Sequence, residues 1–195
     1  IPHHTAYQAG HRSKDWEKFD PELSPVMEIF SGQGSSEGVG TPVQMTTNPS
    51  MGPRTSGSTF RDGLDKGHRL GVIASNDWAG LPGSWNSGLT GIWATELTRD
   101  GIWEAIKSRR TYGVTGDRIS LWWSINDHPM GSEIENGTPT SSKINVECPQ
   151  PLDRIELVHN GEVVSAYNHQ TESQDNGQTQ IWNILVEFGW GPDPR

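Results

Sequence analysis

The sequence predicts an α/β layer with a parallel sheet over residues 1–117, followed by a small antiparallel β-sandwich over 118–195. In the first part, short, near-continuous apolar runs alternate with helix-like stretches, the pattern of strands covered on both faces. Polar residues also gather where those runs end. In the second part, after "TYGVTGDR", the runs alternate apolar and polar with period two and no helical stretch intervenes.

The elements follow in order. "VMEIF" (26–30) is a short apolar strand broken by Glu28. A Gly-, Ser-, Thr- and Pro-rich connection runs from Gly32 to about Gly57, a length at which connections are usually functional or disordered. "STFRDGLDKG" reads as a short helix: Ser58 is placed to cap it, Phe60 and Leu64 share a face, and Gly67 suits the position after its end. "RLGVIAS" (69–75) and "LTGIWAT" (89–95) are the next strands. Thr98 caps a helix over roughly 99–110. Its apolar stripe is Ile102, Trp103 and Ile106, and Lys107, Arg109 and Arg110 complement the dipole at its C-terminal end. Three or four such strands are too few to close a barrel. With no initial Met and an abrupt end at "FGWGPDPR", they predict a piece of a longer protein. Beyond 118, "ISLWWSI" (119–125), "KINVECP" (143–149), "RIELVHNGEVVSAY" (154–167) and "IWNILVEFGW" (181–190) are strands. Asn160-Gly161 between two alternating runs is a type I′ hairpin signal.

Composition narrows the function. The net charge is -9 and no basic stripe is visible, which argues against nucleic acid and anionic membrane as partners and leaves a small-molecule substrate. Nine Trp argue against general disorder. The single cysteine, Cys148, excludes an internal disulfide and has no neighbouring His to make it a nucleophile. No apolar run approaches 18 residues, so a soluble chain is expected, with export of a longer form left open. Oligomeric state is not legible.

Function in α/β folds gathers at the C-terminal ends of parallel strands. His3 and His4, Glu28, and Asn76 with Asp77 lie at such places. Imidazole and carboxylates from different strands form a ligand set for zinc, iron or manganese. Each also has a plain structural reading. If the His3–His4 segment is extended, only one ring of the pair faces the site. Glu28 inside an apolar run needs a cation, a metal or a solvated face. Asp77 could simply begin the turn toward Gly80. His68 is expected to be structural or on the surface, and His128, His159 and His169 to lie on the surface. Trp85, in a loop, could wall the site.

Several motifs resemble a PHP-like family known as domain of unknown function number 3604. They are "IPHHT", "MEIFSGQGSSE", "GHRLGVIASND" followed by "PG", "GLTGIWATELTRDGIWEAIKSRRTYGVTG" and "PMGSEI". The resemblance spans roughly residues 1–165, and 88–116 is its most specific part. It implies the C-terminal half of a distorted (β/α) barrel with a multi-metal centre and hydrolysis of phosphate esters. On that resemblance His3 or His4 matches the HHT motif. Glu28 matches an acid that can bridge two metals, and Gln33 stands where a His is common. Aligned from "LPG", Asn76 takes the acid position and Trp78 the place of a His; aligned from "IAS", Asp77 keeps the acid. Glu28 and Asp77 would then be catalytic, with His3, His4, Glu28 and Asp77 as metal ligands and Gln33, Asn76, Trp78 and Trp85 toward the substrate. Two readings follow: a metal-dependent phosphoesterase with an incomplete ligand set, or a non-catalytic binding protein with a Trp-lined pocket for a carbohydrate.

Overall fold

In a computed structural model of the chain, residues 1–43, 54–77, 87–134 and 141–168 are described. The chain divides into two compact units, Ile1–Pro151 and Leu152–Arg195.

In the first unit, β1 (Val26–Ser31) lies between β2 (Gly34–Ser35) and β3 (Gly71–Ala74). β1 and β3 are parallel, with Val26 opposite Gly71 and Glu28 opposite Ile73, and the register shifts between Glu28 and Phe30. Helix α1 (Phe60–Asp65) lies in the connection that separates them. Its cap is Thr59 rather than Ser58. Thr59 Oγ1 accepts from the Asp62 amide, and the Asp62 carboxylate accepts from the Thr59 amide at 2.8 Å, which makes a capping box. Ser58 is drawn off by another partner, donating its hydroxyl to the Lys14 carbonyl at 3.2 Å. Thr59→Ala is expected to cost about 1 kcal/mol, read as a lowered denaturant midpoint; an unchanged midpoint would show that the cap contributes nothing.

The expected α/β barrel half does not form. β4 (Leu89–Ile92) and β5 (Thr111–Val114) are joined by α2 (Arg99–Lys107), yet they pair antiparallel, Leu89 opposite Val114 and Ile92 opposite Thr111. The helix is therefore an insertion in a hairpin and not a crossover between parallel strands. After the helix, Arg109 takes a positive φ of 57°, and the Trp93 amide donates to the Arg110 carbonyl at 3.0 Å, closing the hairpin. Buried Gly101 and Ala105 form the inward face of α2, whereas Trp103 of the expected stripe is 48% exposed. The β4–β5 ribbon meets β3 through Thr90, whose hydroxyl accepts from the Ala74 amide and donates to its carbonyl.

β6 (Ser120–Ile125) lies between β7 (His128–Pro129) and β8 (Ser142–Glu147), all antiparallel. In the second unit β9 (Arg154–His159) and β10 (Glu162–Asn168) form a hairpin. Asn160 and Gly161, at φ 51° and 82°, turn it as a type I′ loop requires. In place of one sandwich after residue 118, the described strands make two small sheets, one in each unit. The strand expected at 181–190 lies outside the described residues. Among the described residues the fold is thus mostly small antiparallel sheets, with β1–β3 as the parallel pair and no closed barrel.

The core behind β1 is Trp16, Met27 and Leu70, with Phe19 and Phe60 against it. Of the two roles left open for His68, the structural one holds: its ring stacks on Trp16, and its Nε2 lies 3.0 Å from the Trp16 carbonyl oxygen. No helix among the described residues is long and apolar enough to cross a membrane.

Candidate metal centre

The parallel pair positions the polar cluster. Beyond β3 the ladder to β1 persists: the Ser75 amide donates to the Phe30 carbonyl and the Gly32 amide to the Asn76 carbonyl. On the other edge of β1 the Glu28 amide donates to the Pro2 carbonyl at 3.0 Å. One hydrogen bond thus places the His3–His4 segment beside Glu28, and the other two place Asp77 at the same end of the sheet.

Both imidazoles enter the site. An extended segment would send them to opposite faces. His4 instead takes a positive φ of 51°, which breaks the alternation and brings the ring centroids within 3.4 Å. Asp77 also has a positive φ, 59°, a region that Asp and His tolerate better than most residues. Two such residues within one cluster are backbone strain of the kind functional sites hold.

His3 Nδ1 lies 2.7 Å from Glu28 Oε2, and its Nε2 2.9 Å from Asp77 Oδ1. His4 Nε2 lies 2.7 Å from Asp77 Oδ2. His4 Nδ1 is 3.2 Å from Glu28 Oε1 and, although buried, makes no hydrogen bond there. Ser75 donates its hydroxyl to Glu28 Oε2 at 2.6 Å. Glu28 and His4 are buried, with side chains 4% and 1% exposed, while Asp77 at 22% and His3 at 40% open the cluster to solvent. The two carboxylates therefore take opposite nitrogens of the same rings. His3, His4 and Asp77 can each direct one donor atom at a common point.

The donor count is informative. A neutral imidazole carries one N–H. With both Nδ1–H groups toward Glu28, two Nε2 lone pairs face the two oxygens of Asp77 at under 3 Å. Acceptors this close repel unless protons or a cation lie between them.

Burial pushes the Glu28 carboxyl up, but the contacts with His4, Ser75 and His3 outweigh it and hold the group below its ordinary 4.5. A carboxyl that binds its proton less tightly when folded stabilises the fold above its unfolded value. That stabilisation fades as pH falls through the lower folded value. The melting temperature of metal-free protein is thus expected to fall between about pH 5 and pH 3, and less steeply in Glu28→Gln. Equal slopes in the two proteins would count against this.

Of the other predicted residues, Asn76 offers its carbonyl to Gly32 and lies at the strand exit; Asp77 is the acid that meets the histidines. Gln33 lies in the β1–β2 turn, its carbonyl accepting from Arg54 and its amide donating to Ser31 Oγ. Trp78 and Trp85 lie outside the described residues.

Sequence reasoning missed Ser75 and Arg54. Arg54 holds the turn by donating to the Ser35 carbonyl and to Ser36 Oγ, each at 2.7 Å, with its guanidinium 4.5 Å from the Tyr7 ring centroid. A serine directly after an apolar strand was a usable signal for Ser75, since its hydroxyl can reach the neighbouring strand end. Nothing local marks Arg54.

The chain is similar to an uncharacterized protein of Chlamydia pneumoniae, 31% identical over 179 residues that cover 83% of this chain and 28% of that protein. Uncharacterized proteins of Chlamydia muridarum and Chlamydia trachomatis are each 26% identical, over 78% and 79% of this chain and 27% of their own lengths. The chain thus spans 27–28% of the length of these curated relatives. No solved structure matches it. Residues 63–146, which include Ser75 and Asp77 but neither the histidine pair nor Glu28, match the model of a protein family described as of unknown function (DUF3604).

Proposed function

We propose that this chain holds a divalent metal ion through His3, His4 and Asp77 and contributes it to the hydrolysis of phosphate esters. The observation that carries the reading is the meeting of two Nε2 atoms with both oxygens of Asp77. With both rings protonated at Nδ1, four lone pairs are directed at one region and form a cation site by their own electrostatics. Two imidazoles and one carboxylate suit zinc, manganese or iron(II), and three protein ligands leave positions for water and substrate, as catalytic sites require. When bound, such an ion lowers the pKa of its water and polarises an ester oxygen.

The chain's own residues supply the rest. Buried His4 and Glu28 keep solvent from the back of the site, while half-exposed His3 faces the entry. Beside His3 lies a cleft of about 370 Å³ that also contains Arg12 and Lys14. Two cations lining this cleft favour an anionic substrate on an otherwise acidic chain. The PHP-like motifs point to the same substrate class.

The test is elemental analysis of the purified protein, followed by turnover of a generic phosphomonoester. About one equivalent of metal, loss of turnover with a chelator and recovery on adding Zn²⁺ or Mn²⁺ are expected. A protein that carries no metal and takes up none of Zn²⁺, Mn²⁺ or Fe²⁺ would overturn the reading. Metal uptake without turnover of any phosphate ester would overturn the hydrolytic part of it.

A further inference from the structure

We infer that Glu28 is a positioning residue that acts on the two imidazoles from behind and does not ligate the ion. The inference rests on the metal reading above and assigns this carboxylate a place within it. The two nitrogens of an imidazole point away from each other. Glu28 meets Nδ1 of both rings, at 2.7 and 3.2 Å, whereas Asp77 meets Nε2 of both, at 2.9 and 2.7 Å. One ion cannot use both carboxylates and the same pair of rings.

Burial decides which side holds the ion. The Asp77 side opens to solvent through Asp77 and His3, so water and substrate can reach it. The Glu28 side is closed, with its side chain 4% exposed. Its Oε2 already accepts from Ser75 at 2.6 Å and from His3. A carboxylate so engaged is suited to accept Nδ1–H and leave the Nε2 lone pair for a metal. Metal-binding histidines commonly have such an outer partner, which fixes the tautomer and raises ligand basicity. Ser75 is then the third member of the chain, holding the carboxylate that holds the rings. His4 Nδ1, buried and without a hydrogen bond, has Oε1 at 3.2 Å as the acceptor within reach.

The probe is Co²⁺ alone, bound to wild-type protein and to Glu28→Gln, Ser75→Ala and Asp77→Ala. Glu28→Gln is expected to keep the wild-type visible absorption envelope, and so the same coordination, with affinity lowered roughly tenfold to a hundredfold. Ser75→Ala is expected to move affinity the same way by a smaller factor with no spectral change. Loss of a ligand from the Glu28→Gln spectrum, or Co²⁺ affinity lowered by more than about a hundredfold, overturns the placement of Glu28. Should Glu28→Gln not fold, X-ray absorption and a crystal structure of the Co²⁺-loaded wild type decide. Both Glu28 oxygens beyond 3 Å from the ion, against Nδ1, support the inference; an oxygen at about 2.0–2.2 Å overturns it. Undiminished Co²⁺ binding by Asp77→Ala instead overturns the metal reading itself, so the two failures are distinct.

Discussion

Asp77→Ala is expected to lower the affinity for Zn²⁺ or Mn²⁺ by about a hundredfold or more, roughly 2.7 kcal/mol of binding free energy. It removes one of three converging donors and the one that carries formal charge. The fold should lose only about 1 kcal/mol: Ala is strained at this positive φ and His4 Nε2 loses a partner, but the side chain is 22% exposed and water can replace it at His3. Competition with a coloured chelator reads the affinity, and a thermal melt of metal-free protein checks that the fold is intact. Wild-type affinity in the variant would refute the assignment. His4→Ala should abolish binding as well, but it also leaves a hole where a ring 1% exposed had been. That deletion is expected to cost a few kcal/mol of stability. Lost metal with a melt lowered far less than in His4→Ala is therefore specific to Asp77.

Gly88→Ala is expected to destabilise the fold by about 1–3 kcal/mol and to weaken metal binding in the same protein. A Cβ at Gly88 would stand 2.6 Å from both the backbone nitrogen and the carbonyl oxygen of Ser75. Backbone atoms cannot swing aside, and here they belong to a residue whose amide is tied to Phe30 and whose hydroxyl holds Glu28. The strand exit must shift, and Asp77 shifts with it. The melting temperature should drop by several degrees, at about 2–4 °C per kcal/mol for a chain of this size. Gly91→Ala is the matched control. Its Cβ would run into the Tyr112 ring at 2.1 Å, on the paired strand of the β4–β5 ribbon. It should lower the melting temperature and spare the metal affinity. A Gly88→Ala protein with unchanged melt and affinity would show that the strand exit is not what holds the site.

These two positions also show what can be read locally. Asp77 is the stronger candidate as an acid at the end of an apolar run, with Asn76 a weaker rival for the same position. The choice falls to Asp77 because Asn76 gives its carbonyl to Gly32 while the next residue turns through a positive φ toward the histidines. Nothing local marks Gly88 as constrained. Its constraint comes from Ser75, a residue far from it in the chain.

By itself the sequence determined the elements whose causes lie within a few residues. These are strand β1 with Glu28 as its one charge, the approximate helix positions and the Asn160-Gly161 hairpin. Turn chemistry, caps and apolar periodicity act at that range. Only the tertiary structure decided the direction of β5 against β4, the use of Gly101 and Ala105 as the inward face of α2, and the entry of both His3 and His4 into one site. It alone set Glu28 and Asp77 on opposite edges of those rings. Strand direction and side-chain convergence are settled by contacts between residues tens of positions apart. Their selection depends on burial and on the pairing of lone pairs across the sheet end, neither of which leaves a mark in local sequence.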